Sequence, residues 1–62
     1  MELNAKEIVK KKILDAQEMV RDYEVYSKQI SDPEISSMFK NFAEECGVQA
    51  SELKQVLDNK LK

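Results

Sequence analysis

The residues of this chain best suited to chemistry are carboxylates near its single cysteine. Glu44 and Glu45 directly precede Cys46, and Glu18 lies in the first half of the chain. The first interpretation is that the glutamates are helix-surface charges and Cys46 is a small buried hydrophobe, with no metal and no cofactor. Carboxylate oxygens and a thiolate are both ligand types for transition metals, so the alternative is that these four residues bind iron or manganese.

Composition excludes several other kinds of chemistry. The chain has no histidine, one cysteine and one glycine, which leaves no histidine base, no intrachain disulfide, no common structural zinc pattern and no glycine-rich phosphate loop. A net charge of −2 argues against binding to nucleic acid. No apolar run is long enough for a leader or a membrane span. We therefore expect a cytoplasmic protein that is not an enzyme.

Two long amphipathic helices must position these residues. Asn4 and Glu7 have the spacing of a capping box, so helix 1 is predicted over about residues 4–31. Ser31, Asp32 and Pro33 predict a tight turn over about 31–33, because Asp is a preferred N-cap and Pro suits the first helical position. Helix 2 is predicted over about 33–61. The fold class is therefore all-α, a single antiparallel helical hairpin over residues 1–62.

The apolar stripe on each helix is too wide for one partner. Two helices meet along one seam, yet each stripe spans three heptad positions, as in a helix with two neighbours in a bundle. A chain of 62 residues is also too short to bury a large core by itself. We therefore predict a homo-oligomer, with a dimer forming a four-helix bundle as the first expectation. Its predicted interface is Val9, Ile13, Ala16, Val20, Tyr23, Phe39, Phe42, Cys46, Gln49, Leu53 and Val56.

Charge is unevenly distributed along the predicted hairpin. The open end, residues 1–12 and 52–62, has an excess of lysine, whereas residues 13–51, which include the turn, have an excess of carboxylates. Two copies with their turns at opposite ends of the bundle would place each basic end beside an acidic one. Exposed ion pairs contribute under about 1 kcal/mol each, so this pattern favours an orientation rather than holding the dimer together.

The stretch from Tyr23 to Leu53 resembles the helical hairpin of ferritin-like proteins of the rubrerythrin type. The matching residues are Tyr23, Asp32, Pro33, Glu34, Phe39, Phe42, Ala43, Glu44, Glu45, Ala50 and Leu53. The resemblance implies a ferritin-like bundle of paired hairpins. It does not imply the family's metal chemistry, because Ala16, Cys46 and Gln49 stand where the family has its ligand Glu and its Glu-x-x-His.

Two functions from different classes follow as hypotheses. The first is an assembly or protein-interaction module, in which Ile8, Leu14, Val25 and Val48 are exposed apolar residues available to a protein partner of unknown identity. The alternative is a degenerate or minimal ferritin-like metal-binding protein. Gln49 in the apolar stripe is expected to set the register of the bundle, since a single polar core residue often does so. Cys46 has a further interpretation, as a thiol close to a dimer axis.

Overall fold

The structure, a computed structural model, describes residues 4–61, in which each helix begins at a predicted capping residue. Helix α1 spans Ala5–Gln29 and helix α2 spans Pro33–Asn59, with no strand in this part of the chain. The Asn4 side chain accepts a hydrogen bond of 2.9 Å from the backbone N–H of Glu7, as the capping box predicts. Residues 1–3 and Lys62, which the sequence analysis placed at the open end, lie outside the described residues.

The connection between the helices comprises residues 30–32, so α1 ends earlier than the sequence analysis placed it. Ile30 has an extended backbone (φ −90°, ψ 122°), so α1 ends at Gln29 rather than near residue 31. The Asp32 carboxylate accepts hydrogen bonds from the N–H groups of Glu34 and Ile35, at 2.9 and 3.3 Å. Pro33 occupies the first turn of α2, where its missing N–H costs nothing. Three residues therefore suffice to reverse the chain.

Small residues let the two helices approach each other, and aromatic rings fill the space between them near the turn. Ala16 of α1 and Ala43 of α2 are the buried apolar residues of residues 4–61, at 7% and 5% exposure. Tyr23 contacts Phe39 edge to face and lies beside Phe42 as well. The antiparallel helical hairpin predicted from the sequence is confirmed.

A hydrogen bond joins the two helices directly at the turn end. The Ser36 hydroxyl of α2 donates to the backbone carbonyl of Ser27 in α1 at 2.8 Å. The Ser27 hydroxyl in turn donates to the carbonyl of Glu24 at 2.8 Å, which satisfies the most deeply buried polar residue of the described part of the chain. The two serines therefore hold α1 and α2 in contact beside the turn.

The hairpin is a single layer that leaves much of its apolar surface in water. Its extents are 43 × 24 × 12 Å, and no side chain of residues 4–61 is fully buried. Its accessible surface is 5137 Å², whereas a compact protein of its mass exposes about 4,100 Å². Domains are normally built from at least two packed layers. Neither helix of the described chain is both long and apolar enough to cross a membrane.

Candidate functional site

One side of the hairpin has an apolar surface along its whole length, here called the apolar face. At the open end and the middle, Lys12, Asp15, Met19, Cys46, Gln49, Leu53 and Val56 line two adjoining depressions between the helices on this side. The 3.6-residue helical repeat continues the same side toward the turn. The apolar face consists of Ile8, Met19, Tyr26, Ile35, Met38, Phe42, Cys46, Leu53 and Val56.

The side chains of the apolar face are large and open to solvent. Met19, Tyr26 and Met38 are 42%, 52% and 46% exposed, and Ile8, Ile35 and Val56 are exposed as well. Phe42, Cys46 and Leu53 are half-buried at the edge of the seam between the helices. Methionine packs well against irregular surfaces because its side chain is unbranched and polarizable. The face is therefore suited to contact with another apolar surface.

Polar groups also lie on this face, and Lys12, Asp15, Gln49 and Glu52 line its two depressions. Lys12 and Asp15 form an ion pair at 3.5 Å along one edge, with both side chains largely exposed. Gln49 lies in the depression beside Cys46 and is exposed in the single hairpin. Its amide can therefore bond to water here, and would need a new partner wherever a second surface covered it.

The opposite side of the hairpin, here called the polar face, has a different composition. Its two depressions are bordered mainly by charged and amide side chains, and their apolar lining comes largely from residues flanking the helix seam, such as Val20 and Leu57. The polar residues are Lys10, Gln17, Glu24, Lys40, Glu44, Lys54 and Asp58. Exposed Leu14 borders one of these depressions, and exposed Val25 and Val48 lie on the outer sides of the helices, apart from the apolar face. The hairpin thus has one apolar and one polar broad side.

The residues of the predicted interface occupy several positions in the hairpin. Ala16 is buried against the other helix of the same chain, and Gln49 and Val56 are exposed. The remaining predicted interface residues are half-buried: Val9, Ile13, Val20, Tyr23, Phe39, Phe42, Cys46 and Leu53. The interface prediction left out Ile8, Met19, Tyr26, Ile35 and Met38 of the apolar face. All of these except Ile8 belong to the apolar stripes of the sequence. The spacing of a stripe does not show which of its edges is covered by the other helix.

The candidate metal ligands lie on different sides of the hairpin. Glu44 lines the polar face, Cys46 lines the apolar face, and Glu18 lies beside Leu14 and Arg21 on the outer side of α1. Glu45 is exposed. No group of three or more His, Cys, Asp or Glu residues that could hold a metal occurs within residues 4–61. The alternative ligand set is therefore not assembled within one hairpin.

The three positions that correspond, in the ferritin-like resemblance, to metal ligands lie close together in the hairpin. Ala16, Cys46 and Gln49 line the same depression in the middle of the apolar face, although none is a carboxylate or an imidazole. Comparison with family models, with curated proteins and with solved structures found no match to this chain. The ferritin-like resemblance therefore stays a prediction from the motif.

Proposed function

We propose that this chain is a self-assembly module in which two hairpins pair through their apolar faces into a four-helix bundle. The observation that supports it is the apolar face itself, which runs the length of the hairpin while the opposite side is polar. We assign the module no catalytic chemistry, since its sequence has no histidine and its carboxylates point in different directions.

The excess of exposed surface on one hairpin is close to the area that such an interface buries. The hairpin exposes about 1,000 Å² more than a compact protein of its mass, and a standard protein interface buries about 800 Å² on each partner. Covering the apolar face would therefore bring the exposed area close to that of an ordinary folded domain. A second copy also supplies the second layer that the fold lacks.

A second copy is the occupant favoured by charge as well. The open end of the hairpin is basic, whereas residues 13–51, which include the turn, have eight carboxylates against Arg21, Lys28 and Lys40. A copy of the same chain supplies both complements at once, whereas a partner of uniform charge would oppose one end. Two identical faces related by a two-fold axis form the commonest kind of protein dimer.

Light scattering after gel filtration at micromolar concentration tests the proposal. The wild-type chain should elute with about twice its 7.2 kDa mass, and its helical CD signal should be lost on dilution, because folding and pairing are coupled in a small dimer. A cooperatively folded monomer would overturn the proposal, whether or not it bound some other protein.

A matched pair of variants locates the interface. Tyr26→Lys with Met38→Lys adds two charges to the apolar face, where burial in a dimer would strand them. Gln17→Lys with Gln55→Lys adds the same charge to exposed positions away from that face. The first variant should lose the dimer, and the second should keep it. Equal effects of the two variants would contradict pairing through the apolar face.

A further inference from the structure

We infer that the two hairpins pair in one register, with α1 on the partner's α1, α2 on the partner's α2, and the turns at opposite ends. This inference rests on the proposed dimer and specifies its geometry. It follows from the order of residues along each helix of the apolar face, from the level at which the two helices meet, and from one pair of opposite charges.

On α1, the residues directed to the apolar side have a symmetric order. They recur at alternating spacings of four and three, the spacing of a helix seam, and lie within about 40° of one direction. They are Ile8, Lys12, Asp15, Met19, Asp22 and Tyr26. An antiparallel copy aligned about Gln17 places Ile8 level with the partner's Tyr26 and Lys12 level with the partner's Asp22. Ile8 thus meets an aromatic ring and Lys12 an opposite charge, while Asp15 comes level with the partner's Met19 and keeps Lys12 of its own chain as its cation, at 3.5 Å.

On α2, the corresponding residues are symmetric in their middle part. They are Ile35, Met38, Phe42, Cys46, Gln49, Leu53, Val56 and Lys60. An antiparallel copy aligned between residues 47 and 48 places Phe42 level with the partner's Leu53 and Cys46 level with the partner's Gln49. Met38 comes within one residue of the partner's Val56. Ile35 comes level with the partner's Lys60, whose aliphatic stem can cover it.

Both alignments must be possible in the same dimer, so their centres must lie at the same level of the hairpin. The contacts between α1 and α2 give that level. The two helices are antiparallel, with Val20 4.0 Å from the Cβ position of Gly47, Tyr23 beside Phe42 and Ser36 bonded to Ser27. Counting along both helices from these contacts puts Gln17 level with residues 46–50. The centre of symmetry of α2, at residues 47–48, lies within that range. One two-fold axis therefore serves both helix pairs.

Charge distinguishes this orientation from the alternative with both turns at one end. In the alternative, α1 lies on the partner's α2. Lys12 then comes level with the partner's residues 51–55, which include Glu52, but Asp22 comes level with the partner's Phe42 and near the partner's Glu45. A carboxylate pressed against a ring and another carboxylate loses water without gaining a cation. In the inferred register Asp22 meets the partner's Lys12, and the two-fold axis makes this pair twice.

The distance between the two turns tests the orientation. A spin label on Ser31→Cys, in a Cys46→Ser background, reports it by pulsed dipolar spectroscopy, since Ser31 is exposed in the turn. Opposite turns should lie about one hairpin length apart, near 43 Å. Turns at the same end would be separated by about 10–20 Å, one helix spacing plus the labels. A short distance would overturn the inference and leave the dimer standing; a monomeric labelled protein with monomeric wild type would overturn both.

Charge reversal tests the register with Cys46 intact. Lys12→Asp and Asp22→Lys should each weaken the dimer by about fivefold or more, and the double variant should pair more tightly than either single variant. It should not return fully to wild type, because Lys12→Asp also removes the ion pair with Asp15 of the same chain. Asp22→Lys places a lysine four residues after Glu18, which favours the isolated helix, so weaker pairing cannot come from helix loss. Lys10→Asp and Glu24→Lys, the same charge changes on the polar face, are the controls. Independent, additive effects of Lys12→Asp and Asp22→Lys would contradict this register while leaving the dimer intact.

Discussion

Tyr23 and Phe39 meet edge to face across the hairpin, with ring centroids 5.3 Å apart and planes at 78°. Phe42 lies on the other flank of Tyr23, at 5.5 Å and 58°. Such pairs contribute about 0.5–1.5 kcal/mol beyond the area they bury. The three rings therefore form the densest packing between the helices, yet both phenylalanines are only half-buried in one hairpin.

Replacing either phenylalanine with alanine should lower the free energy of unfolding by about 3 kcal/mol, the range for large aromatic truncations. Phe39 lies toward the helix seam and Phe42 toward the apolar face, so Phe42→Ala should weaken the dimer more than Phe39→Ala does. Thermal unfolding and sedimentation, both at one fixed concentration, measure the two effects. Losses under about 1 kcal/mol at both positions would show that these rings are not packed as the hairpin places them.

The hydrogen bond between the two serines predicts a local contribution to stability. Ser36→Ala removes the donor to the Ser27 carbonyl and should cost about 1 kcal/mol. Ser37→Ala is the matched control, because Ser37 is exposed in the same turn of α2 and alanine is the better helix former. Urea unfolding of the two variants side by side measures the difference. A Ser36→Ala protein as stable as Ser37→Ala would mean that the bond adds nothing to stability.

Gly47 should tolerate a side chain. It lies in the interior of α2, and a Cβ placed there would be 4.0 Å from the Val20 side chain, an ordinary contact distance. Gly47→Ala should therefore raise the free energy of unfolding by about 1 kcal/mol, the difference in helix propensity. The midpoint of urea unfolding measures this gain. A loss of stability would show that the helices leave no room for a methyl group beside Val20.

The helix starts and the hairpin could be predicted from the sequence because they depend on local chemistry. Asn4, Asp32 and Pro33 each act within one turn of their own position, and the structure places all three as predicted. The end of α1 was predicted two residues too late, because nothing near Ile30 in the sequence marks its change to an extended backbone. The bond between Ser27 and Ser36 was missed, since two serines nine residues apart have no distinctive local pattern.

The location of the apolar face could be predicted only in part. Periodicity shows that Met19, Tyr26 and Met38 belong to wide stripes, and the stripes are present. Which edge of each stripe faces the other helix depends on how the helices are rotated about their axes, and that depends on packing across the seam. Val20, which the sequence analysis placed in the dimer interface, lines a depression on the polar face.

The last prediction follows from the resemblance to ferritin-like hairpins. Ala16, Cys46 and Gln49 line one depression on the apolar face, and the inferred register brings the three from each copy to the middle of the bundle. Ala16→Glu, Cys46→Glu and Gln49→His together would supply four glutamates and two histidines per dimer, the ligand set of carboxylate-bridged two-metal bundles. Thermal unfolding with and without Mn²⁺ or Fe²⁺, together with the metal content per dimer, measures the result.

The triple variant should be less stable than wild type without metal, because buried carboxylates without a counter-ion are costly. Its melting temperature should rise when metal is added, since binding to the folded state adds to its stability. The control is Ala16→Glu, Cys46→Glu and Val48→His, which introduces the same three residues but turns the histidine about 100° away from the face. It should share the loss of stability and gain little from metal. A folded triple-variant dimer that gains no more than this control would show that the three places do not converge across the dimer, and the likeness to the family would then be limited to the helical hairpin.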